Sequence, residues 1–169
     1  MKKTITRHHA DLMFRVIGRL PLGNLDTELI EATMDNMTAF GAVSEEITKM
    51  TTELSKRLFD GIEQEKLKEY DEMAQKEGVT DDALKSAFPE LYPLAVKQGK
   101  VVASIRNKEV EMEIKEMDKD AFIKGVLAGK AKLSIRDFDI FEPMFKTVEK
   151  KKEEEDFSEL DELMKDSTL

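Results

Sequence analysis

The sequence predicts a mainly α (α+β) fold: a long helical hairpin, a small β-α-β head and a flexible acidic C-terminal tail. Apolar residues recur every three or four positions between residues 44 and 76, which is the period of one helical face. Apolar and polar residues alternate strictly in residues 109–115 and 130–135, as in short half-buried strands. Residues 148–169 carry nine Asp and Glu against four Lys.

The longest element is predicted to be a helix over residues 26–76. Asp26 is a good N-cap residue, and Gly78 can close the far end. Gly41 and Ser44 offer a break, with Ser44 as a cap for a second helix. The apolar stripe keeps its phase across both positions, however, and one interior Gly costs only about 1 kcal/mol relative to Ala. We therefore expect one long helix of roughly 75 Å, at 1.5 Å per residue.

Shorter helices are predicted on either side of this long helix. The first runs from Thr6 to Ile17 and stops at Gly18. After the long helix, Thr80 can cap a new helical stretch that continues to Asn107. Because residues 80–107 follow directly, we expect them to run back along the second half of the long helix as an αα-hairpin.

The two predicted strands have complementary charges. Residues 109–115 place glutamates between apolar positions, and residues 130–135 place lysines between theirs. Opposite charges on neighbouring strands attract. A helix from Asp118 to Leu127 lies between them and is long enough for a parallel crossover, so we expect a β-α-β unit. Its inward residues are predicted to be Val110, Met112, Ile114, Ala131, Leu133 and Ile135, with Phe138, Ile140, Phe141, Met144 and Phe145 filling the core beside it.

The chain is predicted to divide into one helical-hairpin domain with a head, residues 1–147, and a charged segment, residues 148–169. After a charged linker, this tail places four apolar residues at helical spacing in an acidic background. A helix this short is marginal in water and should order only against a groove. We predict that the tail orders on a groove of its own chain or of a protein partner, with docking on the chain's own oligomer as the alternative to a foreign partner. The partner-binding residues are predicted to be Phe157, Leu160, Leu163 and Met164.

No catalytic, cofactor-binding or metal-binding residues are predicted. His8, His9 and Asp11 resemble the start of a metal site, but adjacent helical residues point about 100° apart, and a further ligand would have to come from elsewhere. The formal net charge of −9 disfavours direct binding to nucleic acid. No apolar stretch reaches the ~18 residues of a membrane span. The chain has no Cys, which fits a reducing cytoplasm.

Four stretches together resemble small proteins of tailed phages and prophages. In chain order they read RVIGRLPLG, ELSKRLF, NKEVEMEIKEMDKDAF and LSIRDFDIFEPMF. The resemblance, as a pattern of short motifs, extends over most of residues 12–146. The resemblance implies an accessory or assembly role in a phage gene cluster. It implies no catalytic residue, and it does not account for the acidic tail.

Three functional readings follow from these observations. The first is a non-enzymatic interaction protein, such as a phage assembly or accessory factor. The second is an acidic inhibitor that competes with nucleic acid for a host protein. The third is an enzyme without a recognisable motif, which would require a buried pair of acids. Because a two-helix stalk leaves helix faces uncovered, we also predict a homo-oligomer formed through the long helix.

Overall fold

The computed structural model describes residues 1–147 of the chain, and these residues form a mainly helical fold with one small sheet. Within this part there are seven α-helices and two β-strands. In chain order they are β1 (Lys2–Thr6), α1 (Arg7–Ile17), α2 (Thr27–Leu58), α3 (Gln64–Ala74), α4 (Asp81–Ala87), α5 (Leu91–Asn107), β2 (Glu109–Glu113), α6 (Lys119–Ala128) and α7 (Ile135–Phe141), followed by a 3₁₀ turn at Glu142–Met144.

Four helices begin at side chains that cap them. Thr6, Asp26, Thr80 and Asp118 each accept a hydrogen bond from the backbone N–H three residues later, at 2.8 to 3.2 Å. Such bonds satisfy one of the N–H groups that a helix start leaves without an intrahelical partner. These four predicted helix starts are confirmed.

The predicted single helix over residues 26–76 is wrong. Helix α2 ends at Leu58, and α3 begins at Gln64. In the turn between them, Gly61 has a φ of +77°, a left-handed conformation that interrupts an α-helix and favours Gly. Gly41, the break considered from the sequence, remains helical. A Cβ there would lie 2.9 Å from the ring of Phe14, so the glycine allows α1 to pack closely on α2.

Helix α5 runs back along the second half of α2. Gln98 donates a 2.6 Å hydrogen bond from Nε2 to the hydroxyl of Ser55. Farther along α5, Arg106 reaches Asp11 of α1, which also receives a hydrogen bond from Ser44. The order of these contacts makes α2 and α5 antiparallel, with α3 and α4 at the end where they are joined.

The predicted β-α-β unit is wrong, although its first strand is present as β2. The partner of β2 is β1 at the start of the chain, and the pairing is antiparallel, with Lys2 opposite Glu113. The glutamates of β2 do meet lysine, as Lys2 lies 3.3 Å from Glu111. Residues 130–134 form no strand. Ser134 and Asp137 instead form a capping box that starts α7.

One continuous apolar core lies at the end of the molecule that contains the sheet, which we call the head (residues 1–47 and 108–147). Phe122 packs against Phe141 and Phe145, with ring centroids 5.6 and 5.7 Å apart. The predicted core role of the Phe-rich run is confirmed for Phe141, Met144 and Phe145, which are buried. The buried members of this core are Ile5, Ala10, Met13, Val16, Ile17, Leu25, Leu29, Phe40, Val43, Ile47, Met112, Ile114, Met117, Phe122, Val126, Phe141, Met144 and Phe145.

Candidate functional site

The end of the molecule opposite the head is strongly acidic. Residues 60–90, which we call the distal lobe, carry ten Asp and Glu against four Lys, a net charge of −6. All ten carboxylate side chains are exposed. The remainder of residues 1–147 is close to neutral, because the whole chain carries −9 and residues 148–169 account for −5. The negative charge of residues 1–147 is therefore concentrated in the distal lobe.

A groove with an apolar floor lies in the distal lobe, between the α2–α3 turn and the start of α5. Ile62, Phe88 and Leu91 provide apolar surface in this distal groove, and Leu91 is buried. Glu63, Glu69 and Glu90, with Lys66 among them, supply its polar lining. Carboxylates around an apolar floor favour a ligand that combines cationic and aliphatic groups, as Lys and Arg side chains do.

Local structure fixes the two sides of the distal groove. Gly61 in its left-handed conformation turns the chain from α2 into α3, and Phe88 follows the short helix α4. Tyr70 of α3 meets Phe88 edge to face, with ring centroids 5.3 Å apart. Burial, with added contributions from Tyr92 and nearby carboxylates, raises the pKa of Tyr70 above its usual value. Its phenol is therefore uncharged at neutral pH, and the aromatic pair acts as a support.

A second groove lies in the head beside β1, and it brings together Lys3, His9, Lys119 and Lys146. Three of these four residues are engaged within the head. Lys3 Nζ donates to the backbone oxygen of Pro143 at 2.7 Å, and His9 Nε2 lies 2.8 Å from the backbone oxygen of Ile140. Lys119 forms a 3.4 Å ion pair with Glu142. These contacts fasten β1, α1 and α6 to α7 and to the segment that follows it.

Asp11 is the one buried carboxylate in residues 1–147, with 2% of its surface exposed. Ser44 donates to its Oδ1 at 2.7 Å, while Arg15 and Arg106 each lie 3.1 Å from its Oδ2. Burial acts to raise the pKa of Asp11, but these hydrogen bonds and the two cations outweigh burial and lower the pKa. Asp11 is therefore ionised, and its contacts connect α1 with α2 and α5. Ser44 lies inside α2 and donates a hydrogen bond to Asp11, so it does not cap a helix.

The residues considered for a metal site do not converge. His8 is exposed, His9 contacts the backbone of Ile140, and Asp11 is held by two arginines. Among the described residues, no group of three or more His, Cys, Asp or Glu side chains is arranged to hold a metal ion. No helix in that part of the chain is long and apolar enough to cross a membrane.

The predicted partner-binding residues of the tail, Phe157, Leu160, Leu163 and Met164, lie outside the described residues. The distal groove was not predicted, because Ile62 was assigned to the apolar stripe of one continuous helix. The charge of residues 60–90 was nevertheless readable from the sequence. Glycine at position 61, one residue after Asp60, was the available signal for a turn.

Comparison of the chain with protein-family models, with curated proteins and with solved structures finds no match.

Proposed function

We propose that this protein is a non-enzymatic interaction protein of the cytoplasm that binds a basic protein partner through its distal groove and its acidic tail. An accessory or assembly role in a phage gene cluster is the biological setting we propose for it. The observation that carries the proposal is the distal groove, where apolar floor residues meet exposed carboxylates in a lobe of net charge −6.

The contrast between head and distal lobe supports a binding role. The head uses its buried residues to build a core, whereas the distal lobe buries only Leu84 and exposes all its carboxylates. Complementary charge steers a partner to such a surface and selects against acidic competitors. A basic segment with aliphatic stems would neutralise the rim and cover Phe88 and Ile62.

The described residues give no support to the third reading, an enzyme. That reading requires two acids in environments that push their pKa values apart. Asp11 stands alone as a buried carboxylate in residues 1–147, and each of its oxygens already has a partner. Its lowered pKa makes it a poor proton donor or acceptor near pH 7.

A second candidate function is an acidic inhibitor that competes with nucleic acid for a basic protein. The clustering of ten exposed carboxylates in residues 60–90 favours it. The two functions differ in what displaces the partner. Excess duplex DNA should release a partner held at its nucleic-acid site, and it should leave an assembly partner bound.

Capture of partners from native cells with the full chain as bait tests the proposal. The variant Glu63→Lys/Glu69→Lys changes the groove, and Glu31→Lys/Asp35→Lys is the matched control because it changes exposed carboxylates of the head by the same charge. We expect the groove variant to lose a partner that the control retains, and we expect binding to weaken with added salt. If both variants retained the partner equally, the distal groove would not be its binding site.

Deletion of residues 150–169 tests the tail separately. We expect the shortened chain to keep its melting temperature and to lose capture of the partner. A chain that unfolds on deletion would instead give these residues a structural role.

A further inference from the structure

A basic surface lies on the head, on the opposite part of the molecule from the distal lobe. Residues 119–136, comprising α6, the loop after it and the start of α7, carry four Lys and one Arg against one Asp, a net charge of +4. All five cationic side chains are exposed. We call this segment the basic shoulder; its cations are Lys119, Lys124, Lys130, Lys132 and Arg136.

The basic shoulder also exposes large apolar side chains. Ile135 is 84% exposed and Leu127 is 49% exposed. Ile135 was predicted to face the core of a β-α-β unit, but the capping box of Ser134 and Asp137 starts a helix that leaves it in solvent. Among residues 1–147, no carboxylate lies within 4.0 Å of Lys124, and the same holds for the three cations that follow it. Exposed apolar groups among cations suit a ligand that is both apolar and acidic.

Residues 148–169 of the same chain have that chemistry. They carry nine acidic residues against four Lys, and Phe157, Leu160, Leu163 and Met164 are interspersed with the acidic ones. Their composition therefore complements the basic shoulder in charge and in apolar character.

The tail also begins next to the basic shoulder. The backbone N–H of Lys146 donates to the oxygen of Met117 at 3.0 Å, immediately before α6, and Lys119 Nζ lies 5.7 Å from the ring centroid of Phe145. Helix α6 has ten residues and is therefore about 15 Å long. The ten residues that follow Thr147, residues 148–157, can span up to roughly 33–36 Å. The chain is thus long enough to return along α6 and reach the loop after it.

We propose that the basic shoulder is the docking site for the acidic tail of the same molecule. The carboxylates at positions 153–156 pair with the lysines of the shoulder, while the apolar residues that follow cover Leu127 and Ile135. When the tail is docked, the basic shoulder competes with any external partner for the apolar residues of the tail. This inference does not depend on the distal groove.

Paramagnetic labelling of the full chain tests the contact, because the absence of Cys permits one labelled site. A nitroxide on Ser158→Cys should broaden the amide signals of residues 124–136 in dilute solution and leave those of residues 64–74 unchanged. Unchanged signals at 124–136 would overturn the proposal.

Charge reversal makes the test specific. The variant Lys130→Glu/Lys132→Glu/Arg136→Glu should lose the broadening. Adding Glu153→Lys/Glu154→Lys/Glu155→Lys to it should restore the broadening, because the charges are then exchanged. Loss without restoration would contradict charge pairing.

Two further measurements separate the proposal from its alternatives. Lys97→Glu/Lys100→Glu changes exposed lysines of α5 and should keep the broadening; loss in this control would indicate a general charge effect. Mixing isotope-labelled chain without nitroxide and nitroxide-labelled chain without isotope detects only contacts between copies. Broadening in that mixture equal to that in the doubly labelled chain would overturn docking in the same molecule and assign the tail to a neighbouring copy.

Discussion

The head and the distal lobe are both largely helical, yet they exclude water to very different extents. The head contains the continuous apolar core, with Phe40, Phe122 and Phe141 fully buried. In the distal lobe, α3 has no buried residue, and Leu84 is the only buried one in residues 60–90. The carboxylate density of the distal lobe is correspondingly high.

The difference indicates a division of labour. Burial of apolar surface contributes most of the stability of a fold, at about 25 cal/mol for each Å², and the head buries far more apolar surface than the distal lobe. The distal lobe keeps its shape through the Thr80 cap of α4, the left-handed Gly61 and the half-buried contact of Tyr70 with Phe88. Its surface is thereby available for recognition.

The first prediction concerns local opening, where the expected difference is largest. Backbone amides of α3 should exchange hydrogen through openings several kcal/mol below those of α1, whose protection should approach the global free energy of unfolding, about 5–15 kcal/mol. Native-state hydrogen exchange measures both. Equal protection in the two helices would show that head and distal lobe unfold as one unit.

The second prediction compares the loss of one aromatic ring from the head with the loss of one from the distal lobe. Phe122→Ala should lower the free energy of unfolding by about 3–5 kcal/mol, because Phe122 is fully buried between two other rings. Phe88→Ala should lower it by only about 1–2 kcal/mol, since Phe88 is half-buried. Urea denaturation gives both values. The reverse order would place the main core in the distal lobe.

The third prediction uses the acid sensitivity of the head. Burial opposes ionisation of Asp11, but its hydrogen bonds and the two arginines lower its pKa in the folded state. The resulting stabilisation is fully present above the unfolded pKa of about 3.9 and is lost as the pH falls through the folded value. Asp11→Asn should therefore remove about 1–3 kcal/mol at neutral pH.

Below about pH 4, the difference between the wild-type chain and Asp11→Asn should become smaller. Urea denaturation at several pH values checks this dependence. A difference that grows as the pH falls would contradict the lowered pKa.

The same glycine substitution in two helices should have effects of opposite sign, and the Gly99 variant should show the smallest change of all. Gly125→Ala in α6 should destabilise the head by about 1–3 kcal/mol, because a Cβ there would lie 2.4 Å from Leu25 Cδ2 and 3.2 Å from the backbone oxygen of Asn24. Gly99→Ala in α5 meets no atom within 4 Å and should stabilise by about 0.5–1 kcal/mol. Thermal denaturation measures both effects. Melting temperatures that change in the same direction for the two variants would contradict the prediction.

The sequence by itself determined where several helices begin and where one strand lies. Thr6, Asp26, Thr80 and Asp118 cap helices through bonds to residues three positions away, so the information is local. The alternation in β2 is local too. The acidity of the distal lobe and the basic charge of residues 119–136 were also readable from composition, although neither was recognised as a surface.

Only the tertiary structure decided which elements meet. The partner of β2 is a strand more than one hundred positions away, with Lys2 opposite Glu113, and no local pattern encodes such a pairing. Gly41 and Gly61 are the same type of residue, yet Gly41 lies inside a helix against Phe14, whereas Gly61 lies in the turn between two helices. Ile135 alternates with polar residues like a strand residue, but a local cap and the pairing of β2 with β1 leave it in solvent. For β2 and Gly41, contacts between distant segments selected one of several locally acceptable conformations.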